Sequence, residues 1–218
     1  VIAMIQVKSF VFNPFMENTY VLYDDTKECV IVDPGCYEDY ERQELTDFIK
    51  NNELKVVYLL NTHCHIDHIL GNQFVKNTYG VELLAHKDDE ATLKAVKAYA
   101  PSYGFNNYQE SEIDKYIDES EKIKFGNSSL DILFVPGHAP GHIAFVDKET
   151  KTIIGGDVLF QGSIGRTDLP GGNFDTLISS IHNKFFAYTD DFTVYSGHGP
   201  KTTIGVEKKS NPFCAVAS

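Results

Sequence analysis

Four times along this chain an apolar run of strand length stops at a polar or glycine-rich turn that carries histidine or aspartate. Val56–Leu60 runs towards Thr62-His63-Cys64-His65-Ile66-Asp67-His68, and Leu130–Val135 into Pro136-Gly137-His138. Thr152–Ile154 runs into Gly155-Gly156-Asp157, and Phe192–Ser196 into Gly197-His198-Gly199-Pro200. The unbroken apolar run Val56–Leu60 is the pattern of a strand buried on both faces. Further strand-length runs stand at Ile5–Val11, Thr19–Tyr23, Cys29–Asp33, Val81–Ala85, Lys122–Phe125 and Ile143–Asp147. Tyr37–Asn51 has helical apolar spacing, with acids in its first turns to match the helix dipole. Helices are also expected from Phe74 towards Tyr79, closed by Gly80, and over Asp88–Ala98, Asp175–Phe186 and Thr202–Lys209. Tyr99–Glu119 has no clear period and reads as an irregular or helical insertion over one edge. Strands in two runs with helices between them imply a layered α/β sandwich, and the length fits one domain over residues 1–218.

Charge narrows the function classes. The chain holds 31 Asp+Glu against 19 Lys+Arg, a formal net charge of -12. That disfavours nucleic-acid binding, which needs a basic footprint, and equally a polybasic membrane anchor. No apolar run approaches the ~18 residues of a membrane span. Val1 to Phe12 lacks a basic leader region and reads as a first strand rather than a signal peptide. Cys29, Cys36, Cys64 and Cys214 form no CxxC pair, which points to reduced thiols and a cytoplasmic setting.

The histidine turns carry the chemistry. Four imidazole or carboxylate groups within residues 63–68 are too many for helix capping, whereas tight N/O clusters are the usual way to hold Zn, Fe, Ni or Mn. Gly137-His138, Gly156-Asp157 and Gly197-His198 are each weak signals alone, since a lone Gly-His is as often a turn as a ligand. Together with the first motif they supply five imidazoles and two carboxylates. That is too many donors for one tetrahedral site but suits two adjacent metals sharing a carboxylate.

The HxHxDH motif of residues 63–68, followed by His138, Asp157 and His198, resembles the metallo-β-lactamase-fold superfamily, and within it the glyoxalase II (hydroxyacylglutathione hydrolase) branch. The resemblance implies a four-layer αββα sandwich with two mixed sheets flanked by helices and the site at one edge. It implies that His63, His65 and His138 hold one metal, that Asp67, His68 and His198 hold a second, and that Asp157 bridges them. True zinc β-lactamases have no bridging aspartate at the Asp157 position, flavo-diiron proteins usually have Glu at the His65 position, and nucleases add a large domain. Leu159–Gly172 and Asn211-Pro212-Phe213 resemble the short, single-domain glyoxalase II-like hydrolases. Gly165-Arg166-Thr167-Asp168 is also similar to persulfide dioxygenases, in which the positions of His63, His138 and Asp157 hold a single iron.

The expected reaction is thioester hydrolysis by a hydroxide bridging two divalent ions, zinc first, with iron or manganese accepted by the same donors. Asp157 anchors both metals and Asp67 can take the nucleophile's proton. The partner is a small-molecule thioester, the assembly a monomer or homodimer. A mononuclear iron persulfide dioxygenase, a lactonase with the same ligands and a non-catalytic metal module are the alternatives. Arg166 either grips a substrate carboxylate or pairs with Asp168, the latter favoured because loops beside a site need stiffening. His142 reads as a support behind the ligands, His86 and His182 as structural, and Cys64 as buried. Tyr99, Tyr103, Phe105 and Tyr108 read as core aromatics before substrate contacts.

Overall fold

The computed structural model describes residues 4–217, so the first three residues of the expected N-terminal strand lie outside them. Two compact units form. One runs to Ile117 and takes in Lys124–Ser128; the other comprises Asp118–Ile123 and Ser129 onwards. Each is built on a mixed six-stranded sheet.

The first sheet has the order β1–β2–β3–β4–β5–β6, with β1 at Gln6–Phe12, β2 at Glu17–Tyr23, β3 at Glu28–Val32, β4 at Lys55–Leu60, β5 at Leu83–Ala85 and β6 at Lys115–Tyr116. Short turns join β1, β2 and β3, which makes them antiparallel. The parallel neighbours β3, β4 and β5 need crossovers, supplied by helices α1 (Asp39–Asn51) and, after the short α2 (Ile66–Ile69), α3 (Asn72–Tyr79). Helix α4 (Glu90–Tyr99) and the segment after it lead to β6, which adds to the edge in parallel. Gly80 ends α3 in the left-handed conformation, φ 64°, which its missing Cβ permits.

Helix burial follows the apolar stripe. Leu45 and Ile49 of α1, Val75 of α3 and Leu93 and Val96 of α4 share one core with Phe10, Val21, Ile31 and Leu59 of the sheet. Each such Leu or Ile stabilises the unit by roughly 1.5–3 kcal/mol relative to exposure. β4 departs from the expectation of full burial, because Val57 and Tyr58 are only partly covered. β5 pairs with Leu59 and Leu60, the two fully buried residues at the end of β4.

The second sheet has the order β14–β13–β10–β9–β8–β7. Its strands are β7 (Lys122–Phe125), β8 (Ser128–Phe134), β9 (Ile143–Asp147), β10 (Thr152–Gly156), β13 (Thr193–Ser196) and β14 (Thr202–Thr203). β10 and β13 pair in parallel, across the crossover through α5 (Phe174–Ser180). A separate hairpin, β11 (Leu159–Phe160) and β12 (Ser163–Ile164), stands between. Leu177 of α5, Ile181 and Phe185 of the π-helical turn after it, and Ile204 of α6 (Ile204–Ser210) pack with Val146, Ile153 and Val194. Two mixed sheets flanked by helices agree with the expected fold class. The four cysteines are buried free thiols. No described helix is long and apolar enough to cross a membrane.

Candidate metal centre

In the first unit, β4 delivers the chain into residues 61–68, and buried polar contacts fix every step of that turn. Asn61 and Asn72 exchange amide hydrogen bonds at 3.1 and 2.8 Å. The Thr62 amide donates to Asp33 Oδ1 at 2.7 Å, and its hydroxyl donates to Asp33 Oδ2 at 2.5 Å. Asp89 accepts the Cys64 amide. Cys64 itself is wholly buried, and burial, reinforced by Asp89, raises its thiol well above the usual range.

These contacts decide the imidazole tautomers. The single Thr62 hydroxyl proton goes to Asp33, so Thr62 Oγ1 accepts from His63 Nδ1 at 3.0 Å, leaving a lone pair on His63 Nε2. His68 Nδ1 faces Asp33 Oδ2 at 3.0 Å and Glu17 Oε1 at 3.6 Å, so the proton belongs on that nitrogen too. His68 Nε2 then points its lone pair at Asp67 Oδ2, 3.3 Å away. The His63 ring lies 4.1 Å from that of His68 and 4.9 Å from that of His65. Asp33, His63 and His68 offer donor atoms within 4.8 Å of one another. Burial of Glu17 raises its carboxyl well above the usual range, against the opposing effect of His68.

The second unit repeats the arrangement. His138 Nδ1 faces the Arg166 carbonyl at 2.7 Å, and a carbonyl only accepts, so the proton sits on Nδ1 and the lone pair on Nε2. That Nε2 lies 3.4 Å from Asp157 Oδ2, and His198 Nε2 lies 3.4 Å from the same oxygen. The Asp157 amide donates to His142 Nε2 at 3.1 Å, which places His142 in the supporting role expected of it. Gly165 is required behind this pair, because a Cβ there would stand 1.9 Å from the Asp157 carbonyl oxygen.

A lone pair facing a carboxylate oxygen repels it unless a proton or cation lies between. Ligands at ~2.0–2.2 Å around one tetrahedral cation stand ~3.4 Å apart. The separations of 3.3 and 3.4 Å are longer than good N–H···O bonds and match that spacing. The donor set therefore fits divalent metal. Each unit brings its own expected ligands together: His63, His65, Asp67 and His68 in the first, His138, Asp157 and His198 in the second.

Arg166 forms a two-pronged pair with Asp168, at 2.7 and 2.8 Å. The guanidinium holds the exposed Asp168 carboxyl down at about 2. His86 accepts the Asp88 amide, and His182 Nε2 meets the Cys214 carbonyl. Phe105 is buried and Tyr99 and Tyr108 partly so, but Tyr103 is 57% exposed, which corrects its reading as a core residue. Sequence reading missed Asp33 and Glu17 because each reads as an ordinary strand-end or strand acid. Asp33 alone left a trace: a carboxylate directly before Pro34-Gly35 where a buried strand ends.

The family profile of the metallo-beta-lactamase superfamily matches residues 12–198. Hydroxyacylglutathione hydrolase GloC of Haemophilus influenzae is 40% identical over 91% of this chain and 93% of its own. The probable metallo-hydrolase YqgX of Bacillus subtilis is 36% identical over 92% and 93%. Among solved structures, the B3 metallo-beta-lactamase BLEG-1 superposes with a TM-score of 0.87 at 35% identity, covering 95% of this chain and 99% of its own. TTHA1623 in a di-iron-bound form gives 0.84 at 29%, covering 94% and 99%. By profile, relatives and donor set together, the chain belongs to the metallo-β-lactamase superfamily, as a metallo-hydrolase.

Proposed function

We propose that the chain is a dinuclear thioester hydrolase of the hydroxyacylglutathione hydrolase type, acting in the cytoplasm with its cysteines reduced. His63, His65 and His138 would hold one divalent ion, and Asp67, His68 and His198 the other, with Asp157 shared. Zinc is the first choice; iron or manganese suits the same donors. The observation that carries the reading is that His63, His68 and His138 are each fixed with Nδ1 as donor, which makes Nε2 the nitrogen with a lone pair to offer a metal. The thioester rests on the Haemophilus relative, whose name gives its substrate class.

Bound cations supply an acidified water and a polarised acyl carbonyl. The chain's own residues do the rest. Asp157 sets the spacing of His138 and His198 through one oxygen. Asp67, only 9% exposed, can hold the proton taken from the nucleophile. A thiolate leaving group, with a thiol pKa near 8.5, relieves the chain of supplying a general acid.

Metal per chain on protein purified without added metal, with S-lactoylglutathione hydrolysis on the same sample, tests the reading. About two metals and turnover are expected. One iron, with oxygen uptake on a persulfide and little hydrolysis, would replace it with the dioxygenase. The likeness to a B3 metallo-beta-lactamase puts a β-lactam and a lactone in the same substrate panel, and faster turnover of either would move the assignment.

A further inference from the structure

The segment 159–166 touches three of the proposed ligands, yet its own structure does little to hold it. Phe160 meets the His198 ring edge-on, with centroids 6.2 Å apart and planes at 81°. The Arg166 carbonyl accepts from His138 Nδ1 at 2.7 Å, and Gly165 leaves room for the Asp157 carbonyl. The hairpin that presents these contacts has two paired residues in each strand, Leu159 with Ile164 and Phe160 with Ser163. A ladder that short is marginal by itself. The turn at its tip, Gln161-Gly162, is exposed.

Two buried polar side chains, one in α6 and one just after it, supply the missing support. Glu207 accepts the Gly162 amide at 2.8 Å through Oε1 and the Thr202 hydroxyl through Oε2. Asn211 accepts the Phe213 amide at 2.9 Å through Oδ1, which decides the way its amide group faces. Its Nδ2 is thereby aimed at the Ser163 carbonyl and at Glu207 Oε1, both at 3.0 Å. The two side chains are 1% and 2% exposed. A carboxylate is costly to bury, and the hydrogen bonds that Glu207 accepts all come from neutral donors, so packing alone gives no reason for it there. What it gains is a fixed hairpin. The Ser196 hydroxyl ties the base of the same hairpin, donating to the Leu159 carbonyl at 2.7 Å. Of the two histidines that the segment touches, His198 depends on it more, since its side chain is 29% exposed against 4% for His138.

We propose that Glu207 and Asn211 are positioning residues of the metal centre. They hold the β11–β12 hairpin where Phe160 fixes the plane of the His198 ring, and so set how tightly the ion assigned to His198 is bound. Both act through the hairpin, with Phe160 as the side chain that meets the ligand. This rests on the dinuclear reading above, and it gives the closing Asn211-Pro212-Phe213 a part in the site.

The test compares the wild type with Phe160→Leu, Asn211→Ala and the milder Glu207→Gln. Asp24→Asn, which removes hydrogen bonds from a turn of the first unit, controls for lost stability. Histidine ring NMR signals of the metal-free chain come first, with His198 assigned by its loss in His198→Asn. Each hairpin variant takes the Phe160 ring current away from His198. We therefore expect the His198 signal to move in the same direction in all three, with His63 and His68 in place and no such movement in Asp24→Asn. Zinc affinity is then read in two steps by chelator competition. Losing a support behind a ligand costs about 10- to 100-fold in metal affinity, so one dissociation constant should rise ~10-fold or more in Phe160→Leu and Asn211→Ala while the other stays within about 2-fold. A His198 signal unmoved in Asn211→Ala and Glu207→Gln overturns the proposal, as does equal weakening of both steps or the same pattern in Asp24→Asn. If Asn211→Ala does not fold, Glu207→Gln decides by the same signals. If the wild type binds a single ion, the dinuclear reading falls, and the His198 signal alone then supports the clamp by moving or overturns it by staying.

Discussion

Asp33 shows how much one side chain can organise from behind a site. Its backbone is left-handed, φ 51°, and one carboxylate receives the Thr62 amide, the Thr62 hydroxyl and His68 Nδ1. Through Thr62 it fixes the His63 tautomer, and directly it fixes that of His68. Asp33→Ala should therefore weaken metal binding about 10- to 100-fold, the usual cost of losing such a support, as measured by competition with a chromogenic chelator. A variant that binds metal like the wild type would mean that Glu17 alone suffices to orient His68. Asp157→Asn tests the shared ligand. Both histidines face the same oxygen, Oδ2, and in the variant that place is taken either by an amide nitrogen that cannot accept or by a neutral amide oxygen without the carboxylate's charge to hold two cations. We expect metal content to fall from about two per chain to below one by elemental analysis, with hydrolysis falling in parallel. Full metal content and rate in that variant would remove Asp157 from its assigned place.

At the scale of elements, the turns do as much as the strands. Asp24, buried at the end of the β2–β3 hairpin, accepts the Thr26 amide at 2.9 Å, the Asn127 amide at 2.8 Å and the Ser128 hydroxyl at 2.7 Å, tying that hairpin to the β7–β8 turn. Burial would raise its carboxyl, but the bonds from Thr26, Ser128 and Asn127 outweigh burial and hold it below the usual range. A lowered carboxyl stabilises the fold above its unfolded value, near 3.9, and that contribution is lost as pH falls through the folded value. Asp24→Asn should thus cost about 1–3 kcal/mol at pH 7 in urea denaturation, with the gap to the wild type narrowing below about pH 4. A gap that stays constant with pH would assign the loss to packing instead. Gly137 carries a second element-scale constraint. Its φ is 133° and a Cβ would stand 2.3 Å from the Leu177 amide nitrogen in α5. Gly137→Ala should lower the urea midpoint clearly, and an unchanged midpoint would show that α5 can shift. The strands Lys122–Phe125, Ile143–Asp147 and Thr152–Gly156 were legible as strand-length runs separated by turn signals. The hairpin of β11 and β12 was not, because its two-residue strands carry no period. Its place depends on Glu207 accepting the Gly162 amide and on Asn211 donating to the Ser163 carbonyl, contacts some forty-odd residues away in sequence.

For the whole molecule, the proposed ligand residues stand out in the sequence because metal chemistry restricts them to a few side chains at strand ends, while most of the residues behind them, His142 apart, do not. Asp33, Glu17 and Asn13 act through partners far off in sequence, and apart from the Pro34-Gly35 turn after Asp33 nothing in their immediate neighbourhood marks them. A ligand bound only by the native chain stabilises it by RT ln(1 + [L]/Kd), about 2.7 kcal/mol at a hundredfold excess over Kd. For a chain of this length 1 kcal/mol moves the melting temperature by about 2–4 °C. Stripping metal with a chelator should therefore lower the melting temperature by roughly 5–10 °C, and restoring zinc should recover it. Asp157→Asn supplies the control, since a chain already short of metal has less to lose and its melting temperature should move by under half as much. A chelator shift of equal size in both proteins would place the stabilising metal elsewhere. No shift in the wild type, with metal shown to have left, would mean that the ligand turns are held by their own hydrogen bonds alone.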